Sequence, residues 1–170
     1  DGGATHYQRT GHVLPEETFQ ACQSAHAILH GAAGLPEVTY PDGTEVGNDL
    51  HLQLRFKLDL FANVRPIRLL KGVKSPLRDF SAGQIDYVIV RENTEGLYAS
   101  RGAGVNLRDE LVTDTLVMTR VGVERVAKFA FELSKSRGGA PKDHQRRVTV
   151  CDKANILKSY AFFRSVCTEV

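Results

Sequence analysis

Strand-like and helix-like apolar patterns take turns along this chain, and that alternation limits its fold more than any other feature. LPEETFQACQSA reads as a helix, with Pro15 early, acids in the first turn, and Phe19 and Cys22 on one face. AILHGAAGLP reads as a buried strand entering a Gly-rich turn, and TYPDGTEVGND as a surface loop. In LHLQLRFKL, Leu50, Leu54 and Leu58 recur at intervals of four, which predicts a short helix. FANVRPIRLL and DYVIVRE are strand-like and flank the polar turn KGVKSPLRDFSAGQ. After the glycine-broken EGLYASRGAGVNLRDE, the β-branched LVTDTLVMT predicts a further strand. VGVERVAKFAFELSKSR is the clearest helix. Val123, Val126, Ala130 and Leu133 give it a face, Glu124 and Lys128 pair one turn apart, and Gly138, Gly139 and Pro141 end it. RRVTVCD predicts a short strand and KANILKSYAFFRSVCTEV a last helix. The apolar stripe of that helix is Ile156, Tyr160, Phe163, Cys167 and Val170. Strands alternating with helices predict an α/β fold with a covered sheet.

A chain of 170 residues holds one sizeable core or parts of two smaller ones. With 22 basic and 20 acidic residues, it has no broad electrostatic footprint for nucleic acid. Its apolar runs fall far short of a membrane span. It opens on DGGATHY, without Met or a positive-then-apolar leader, and stops inside the pattern of its last helix with no stop signal. The expectation is an internal piece of a longer, cytoplasmic protein. Cys22, Cys151 and Cys167 are odd in number and form no CxxC, so reduced, mostly buried thiols are expected. His26 and His30 are four apart, but on a strand-to-loop segment that frames zinc poorly. No GxGxxG follows a strand, and neither GxxxxGK[ST] nor GxSxG occurs, so a Rossmann fold, a P-loop and a serine hydrolase lack support. Glu110 and Asp114 read as surface charges rather than metal ligands.

The residues with chemistry to offer are Arg55, Arg65, Arg91, Tyr98 and Lys153. Guanidinium forks bind carboxylates in bidentate fashion, so three converging arginines suit a di- or tricarboxylate. The alternative is structural ion pairing with Asp59, Glu92 or Glu95. Tyr98 alone reads as a packed aromatic, and Lys153 alone as a solvated lysine near a helix start. A helix N-terminus disfavours a cation, however, so the position of Lys153 asks for a reason. A cationic cluster would lower both pKa values from about 10 for Tyr and about 10.4 for Lys, toward the range useful in acid–base chemistry.

Taken together, LRFKLDLFANVRP, VIVRENTEGLY and VTVCDKANILK, with HGAAGLP before them, closely resemble the β-decarboxylating dehydrogenases. That family comprises the isopropylmalate, isocitrate, homoisocitrate and tartrate/D-malate dehydrogenases, and the nearest types are 3-isopropylmalate and tartrate/D-malate dehydrogenase. The resemblance runs from about Gly2 to the end. It implies an α/β isocitrate/isopropylmalate dehydrogenase-like fold, here a fragment with a mixed sheet flanked by helices. Residues 1–60 would be part of the large, cofactor-side domain, and residues 61–170 part of the small domain carrying substrate and dimer contacts.

The same resemblance implies roles. Arg55, Arg65 and Arg91 would grip the carboxylates of a malate-like substrate, with His51 reading its variable group. Lys153 would take the C2 hydroxyl proton as hydride leaves for NAD or NADP. Asn155 would lie beside the nicotinamide, Mg2+ or Mn2+ would hold the hydroxyl and carboxylate oxygens, and Tyr98 would protonate the enolate carbon. A homodimer with shared sites is implied, and neither nucleic acid nor membrane as a partner. The family's opening Gly-Asp-Gly-Ile-Gly, its metal aspartates and its adenosine-binding loop are not in the sequence, so the fragment alone is expected to be inactive. His51, four before Arg55, suits a polar or anionic substituent better than isopropyl unless Leu50 or Leu52 faces the pocket. Two other readings are a non-catalytic subunit of the same fold, against which Tyr98 and Lys153 both argue, and an unrelated carboxylate-binding domain.

Overall fold

The structure is a computed structural model that describes residues 1–170. It divides into two compact units, Asp1–Leu60 and Phe61–Val170. The first contains α1 (Ala4–Thr10), α2 (Glu16–Ser24) and α3 (Val46–Lys57). Its core is Ala4, Val13, Val38, Val46, Leu50 and Leu54, with Phe19, Cys22 and Leu58 packed against it. The leucine spacing of α3 therefore does face a core, as its period predicts.

Two expectations for this unit change. The stretch read as a surface loop closes early: Tyr40 N donates to Thr44 O at 2.8 Å and Gly43 N to Tyr40 O at 2.9 Å. That tight turn delivers Val46 and Gly47 into the core as the first residues of α3. The expected buried strand at AILH does not form, and the Leu29 side chain is fully exposed, at 102%. A strand is made by its ladder, and no segment of the chain pairs with this one. The Gly-rich turn after it is held by contact instead. A Cβ on Gly47 would collide with the backbone of Gly34, so α3 approaches the turn as closely as only a glycine at 47 allows.

The second unit contains β1 (Ala62–Arg68), β2 (Asp86–Glu92), β3 (Val105–Leu107), β4 (Leu111–Thr113), α4 (Arg120–Ser136) and α5 (Lys158–Glu169). β1 and β2 pair antiparallel, from Ala62 opposite Glu92 to Arg68 opposite Asp86. β3 and β4 form a separate short hairpin. Helix α4 packs on β2 and on α5. Val123, Ala127, Val166 and Cys167 make a small core there, with Phe162 and Phe163 beside it. Thr119 starts α4 by accepting from Gly122 N at 3.0 Å, a cap worth about 1 kcal/mol. Glu95 in turn accepts from Thr119 N at 2.8 Å, which fixes the end of the RENTEG loop to that cap.

The α/β class stands, but three local readings are corrected. RRVTVCD forms no strand: Val148, Thr149 and Val150 lie along a groove beside β2 without ladder bonds. Of LVTDTLVMT only Leu111–Thr113 is a strand, and Val117 makes a lone bridge to Gly96. The last helix begins at Lys158, and Ile156 and Val170 are exposed while Val166 and Cys167 are buried. Its inward face keeps Phe163 and Cys167 of the predicted stripe and adds Phe162 and Val166. Among the free thiols only Cys167 is buried; Cys22 is half-buried and Cys151 exposed. Burial pushes the Cys167 thiol pKa up, with the nearby Asp152 charge adding to it. No helix is long and apolar enough to cross a membrane.

Candidate active site

Opposite residues in an antiparallel pair share a face, as do residues two apart. By that rule Asn63, Arg65 and Arg91 lie on one face of the β1/β2 ladder, because Asn63 is opposite Arg91. Arg65 Nε donates to Asn63 Oδ1 at 2.9 Å. Asn93, buried just past β2, receives longer contacts of 3.4 Å from both Asn63 Nδ2 and Arg91 Nη2. The Arg91 guanidinium lies 5.6 Å from the Tyr98 ring centroid, within cation–π reach. The structure therefore brings Arg65, Arg91 and Tyr98 together through two asparagines.

Neither Arg65 nor Arg91 has a carboxylate partner. The acids that could have neutralised them are engaged elsewhere. Glu92 lies 3.5 Å from Arg125, and Glu95 serves the Thr119 cap. Their positive charge is left to face outward, with neutral amides holding it in place. Asn63 and Asn93 were missed in reading the sequence. Their signal is the two-residue offset from Arg65 and Arg91, which in an extended segment means the same side.

Lys153 sits on a turn rather than on a helix start. Its carbonyl accepts from Ile156 N at 3.1 Å and Leu157 N at 3.0 Å, and its exposed ammonium group bonds to nothing in the chain. Residue 152 builds the platform. The Asp152 side chain is 1% exposed and takes a two-point grip from Arg164, Nε to Oδ2 at 2.8 Å and Nη2 to Oδ1 at 2.6 Å. Asp152 Oδ1 also accepts from Ala154 N at 2.9 Å, bending the chain around Lys153. Asn155, next on that turn, is exposed and its amide is uncommitted. No contact joins Lys153 to Arg91 or Tyr98.

Arg55 and His51 belong to the first unit, one turn apart on α3. Arg55 is half-buried in the last turn. His51 Nδ1 is 2.9 Å from Gly47 O, so that nitrogen carries the proton and Nε2 is left as an acceptor when the ring is neutral. The His30 ring lies 4.4 Å from it, tilted by 43°. A polar ring pair therefore stands one turn before Arg55.

Arg164 holds the Asp152 carboxyl below the usual carboxylate range, and the Ala154 amide adds to the effect. The Asp86 carboxyl is lowered likewise by Arg68 and then Arg137. A depressed folded pKa gives stability that is present above the unfolded value, about 3.9 for Asp, and lost as pH falls through the folded one. Thermal midpoints are therefore expected to hold steady above that value and to fall below it. Arg164→Gln should flatten the acid limb. An acid limb identical in the variant and the parent would mean that Asp152 contributes nothing to it.

With this geometry in view, the comparisons are specific. The isocitrate/isopropylmalate dehydrogenase family model matches residues 1–170. The 3-isopropylmalate dehydrogenase of Corynebacterium efficiens is 42% identical over 159 residues, covering 92% of this chain and 44% of that protein. The 3-isopropylmalate/3-methylmalate dehydrogenase of Methanocaldococcus jannaschii is 40% identical over 158 residues, covering 93% and 42%. Among solved structures, isocitrate dehydrogenase from Methylococcus capsulatus superposes with a TM-score of 0.76 at 28% identity, covering 99% of this chain and 45% of that one. The β-decarboxylating dehydrogenase of Thermococcus kodakarensis in its apo form gives 0.70 at 34% identity, covering 99% and 43%. The chain belongs to the isocitrate/isopropylmalate dehydrogenase family, and it spans under half the length of these relatives.

Proposed function

We propose that the complete protein to which this chain belongs oxidatively decarboxylates a malate-type 2-hydroxy acid of the 3-isopropylmalate kind. The observation that carries this reading is the pair of arginines without carboxylate partners, Arg65 and Arg91, on one sheet face with Tyr98 beside the second. Such a face is built for a polycarboxylate. By the family resemblance, Arg55 and His51 of the first unit are read as further substrate-binding residues, His51 for the substrate's variable group.

In the proposed reaction Lys153 Nζ, as the neutral amine, accepts the C2 hydroxyl proton while the C2 hydride departs. The resulting 2-oxo acid loses its β-carboxylate as CO2, leaving an enolate, and the Tyr98 hydroxyl gives its proton to that carbon. A nicotinamide cofactor, NAD or NADP, supplies the hydride acceptor when bound, and the exposed Asn155 amide is read as its contact. No three His, Cys, Asp or Glu side chains of this chain converge to hold a metal. The residues here do not by themselves fit Mg2+ or Mn2+, and no step is assigned to either ion. A homodimer is favoured by the apolar surface on the 97–112 segment, where Leu97, Val105, Leu107, Leu111 and Val112 are each at least half exposed. The first unit is read as part of the cofactor-side domain, the second as part of the substrate and dimer domain.

The test is a substrate panel on the complete protein: isopropylmalate, isocitrate, D-malate and tartrate, with either nicotinamide cofactor and Mg2+ or Mn2+. Coupled cofactor reduction and CO2 release are expected with at least one of them. Reduction with none would overturn the reading and favour a non-catalytic subunit. The 170-residue chain alone is expected to give no turnover in the same assay.

A further inference from the structure

The β1/β2 ladder has a second charged end, at the opposite limit of its register from Arg91. There Arg68 faces Asp86 across the ladder. Arg68 Nε and Nη2 donate to Asp86 Oδ2 at 3.1 and 2.8 Å, and Arg137, at the end of α4, donates to Oδ1. One carboxylate thus serves two guanidiniums. It occupies one edge of Arg68 and a single nitrogen of Arg137, and the remaining N–H donors of both forks bond to no group of the chain.

These groups border an open, polar cavity of about 560 Å³, also lined by Gly138, Gly139 and His144. The loop that shapes it is fixed rather than incidental. Gly139 has φ of 90°, and a Cβ there would collide with the His144 carbonyl oxygen. His144 N donates to Ala140 O at 2.8 Å, and Arg146 Nε donates to Arg137 O at 2.9 Å. Arg137 is held from its own carbonyl, with its side chain only 30% exposed, so little further ordering is needed to bind. Arg68 is the more exposed of the two, at 63%. The lining carries two fixed positive charges against one negative. A simple structural clip would need neither that surplus nor the cavity.

We propose that this cavity binds a small multivalent oxyanion, a phosphate or a polycarboxylate, gripped by Arg68 and Arg137 beside the Gly138–Gly139 turn. Asp86 then acts as the resident competitor that orients both forks in the absence of ligand. The site lies within the second unit and does not depend on the reaction proposed above.

The experiment titrates the 170-residue chain with inorganic phosphate, and separately with succinate, at constant ionic strength. Binding is followed by the NMR shifts of the Gly138 and Gly139 amides and the Arg68 and Arg137 Nε–H groups. Saturable shifts confined to these groups are expected. Arg137→Gln should weaken binding by about ten- to a hundredfold, the effect of one charged hydrogen bond. Asp86→Asn should strengthen binding by removing the competitor. Tighter phosphate than succinate would mark a phosphate site, and the reverse a carboxylate site. Shifts that never saturate, or that persist unchanged in Arg137→Gln, would overturn the proposal and leave the trio as a structural clip. If Asp86→Asn fails to fold, the Arg137→Gln comparison still decides.

Discussion

Replacing Lys153 by methionine in the complete enzyme is expected to lower kcat by about 10²- to 10⁴-fold, the span a positioned acid–base group supplies. The fold should be untouched, because the Lys153 ammonium group is exposed and bonds to nothing in the chain. Methionine keeps the length and loses the nitrogen, so the comparison isolates proton transfer. The proposed reaction assigns substrate affinity to the arginines, so KM should move far less than kcat. Urea denaturation of both forms supplies the control. A kcat equal to the parent's would remove Lys153 from the mechanism, whereas a matched loss of kcat and stability would make the residue structural. Arg164→Gln should give a smaller kcat loss, because it frees Asp152 and loosens the Lys153 turn without removing the base.

The sequence carried the local periods well and the long-range pairings poorly. Leu50 and Leu54 face a core because a 3.6-residue repeat needs no knowledge of its partner. The DYVIVRE strand was legible too, from its β-branched run, but the covered sheet was not, since Tyr87 and Ile89 lie exposed. AILH and RRVTVCD have strand composition and no ladder. Whether such a segment becomes a strand depends on another segment, and a single stretch does not specify its neighbour. The site divides along the same line. Arg65, Arg91, Tyr98 and Lys153 stood out as residue types in distinctive stretches. The asparagines joining the arginines and the Arg164 grip on Asp152 are contacts between distant positions, invisible until the ladder register and the course of α5 are known.

That dependence of the site on α5 leads to the largest stability effect expected of a single substitution, Val166→Asp. Val166 is fully buried, at 0% exposed, against Val123 and Ala127 of α4, in a core of only four buried residues. A carboxylate placed there has no partner and no route to water, and the cost is expected to exceed about 4 kcal/mol. Whole domains are stable by about 5–15 kcal/mol, so the α4–α5 pair should come apart in the variant at 25 °C. Arg164 rides on the same helix, two residues earlier, and its grip on Asp152 would go with it. Loss of helical circular dichroism and a lower urea midpoint of the 170-residue chain are the readouts. Ala161→Asp, exposed on α5, is the matched control and should cost no more than about 1 kcal/mol. In the complete enzyme, Val166→Asp should then abolish turnover by dismantling the platform under Lys153, although Val166 lines no part of the proposed site. Val166→Asp with parental stability would show that α5 is not what holds the lysine turn, and the positioning role of Arg164 would fall with it.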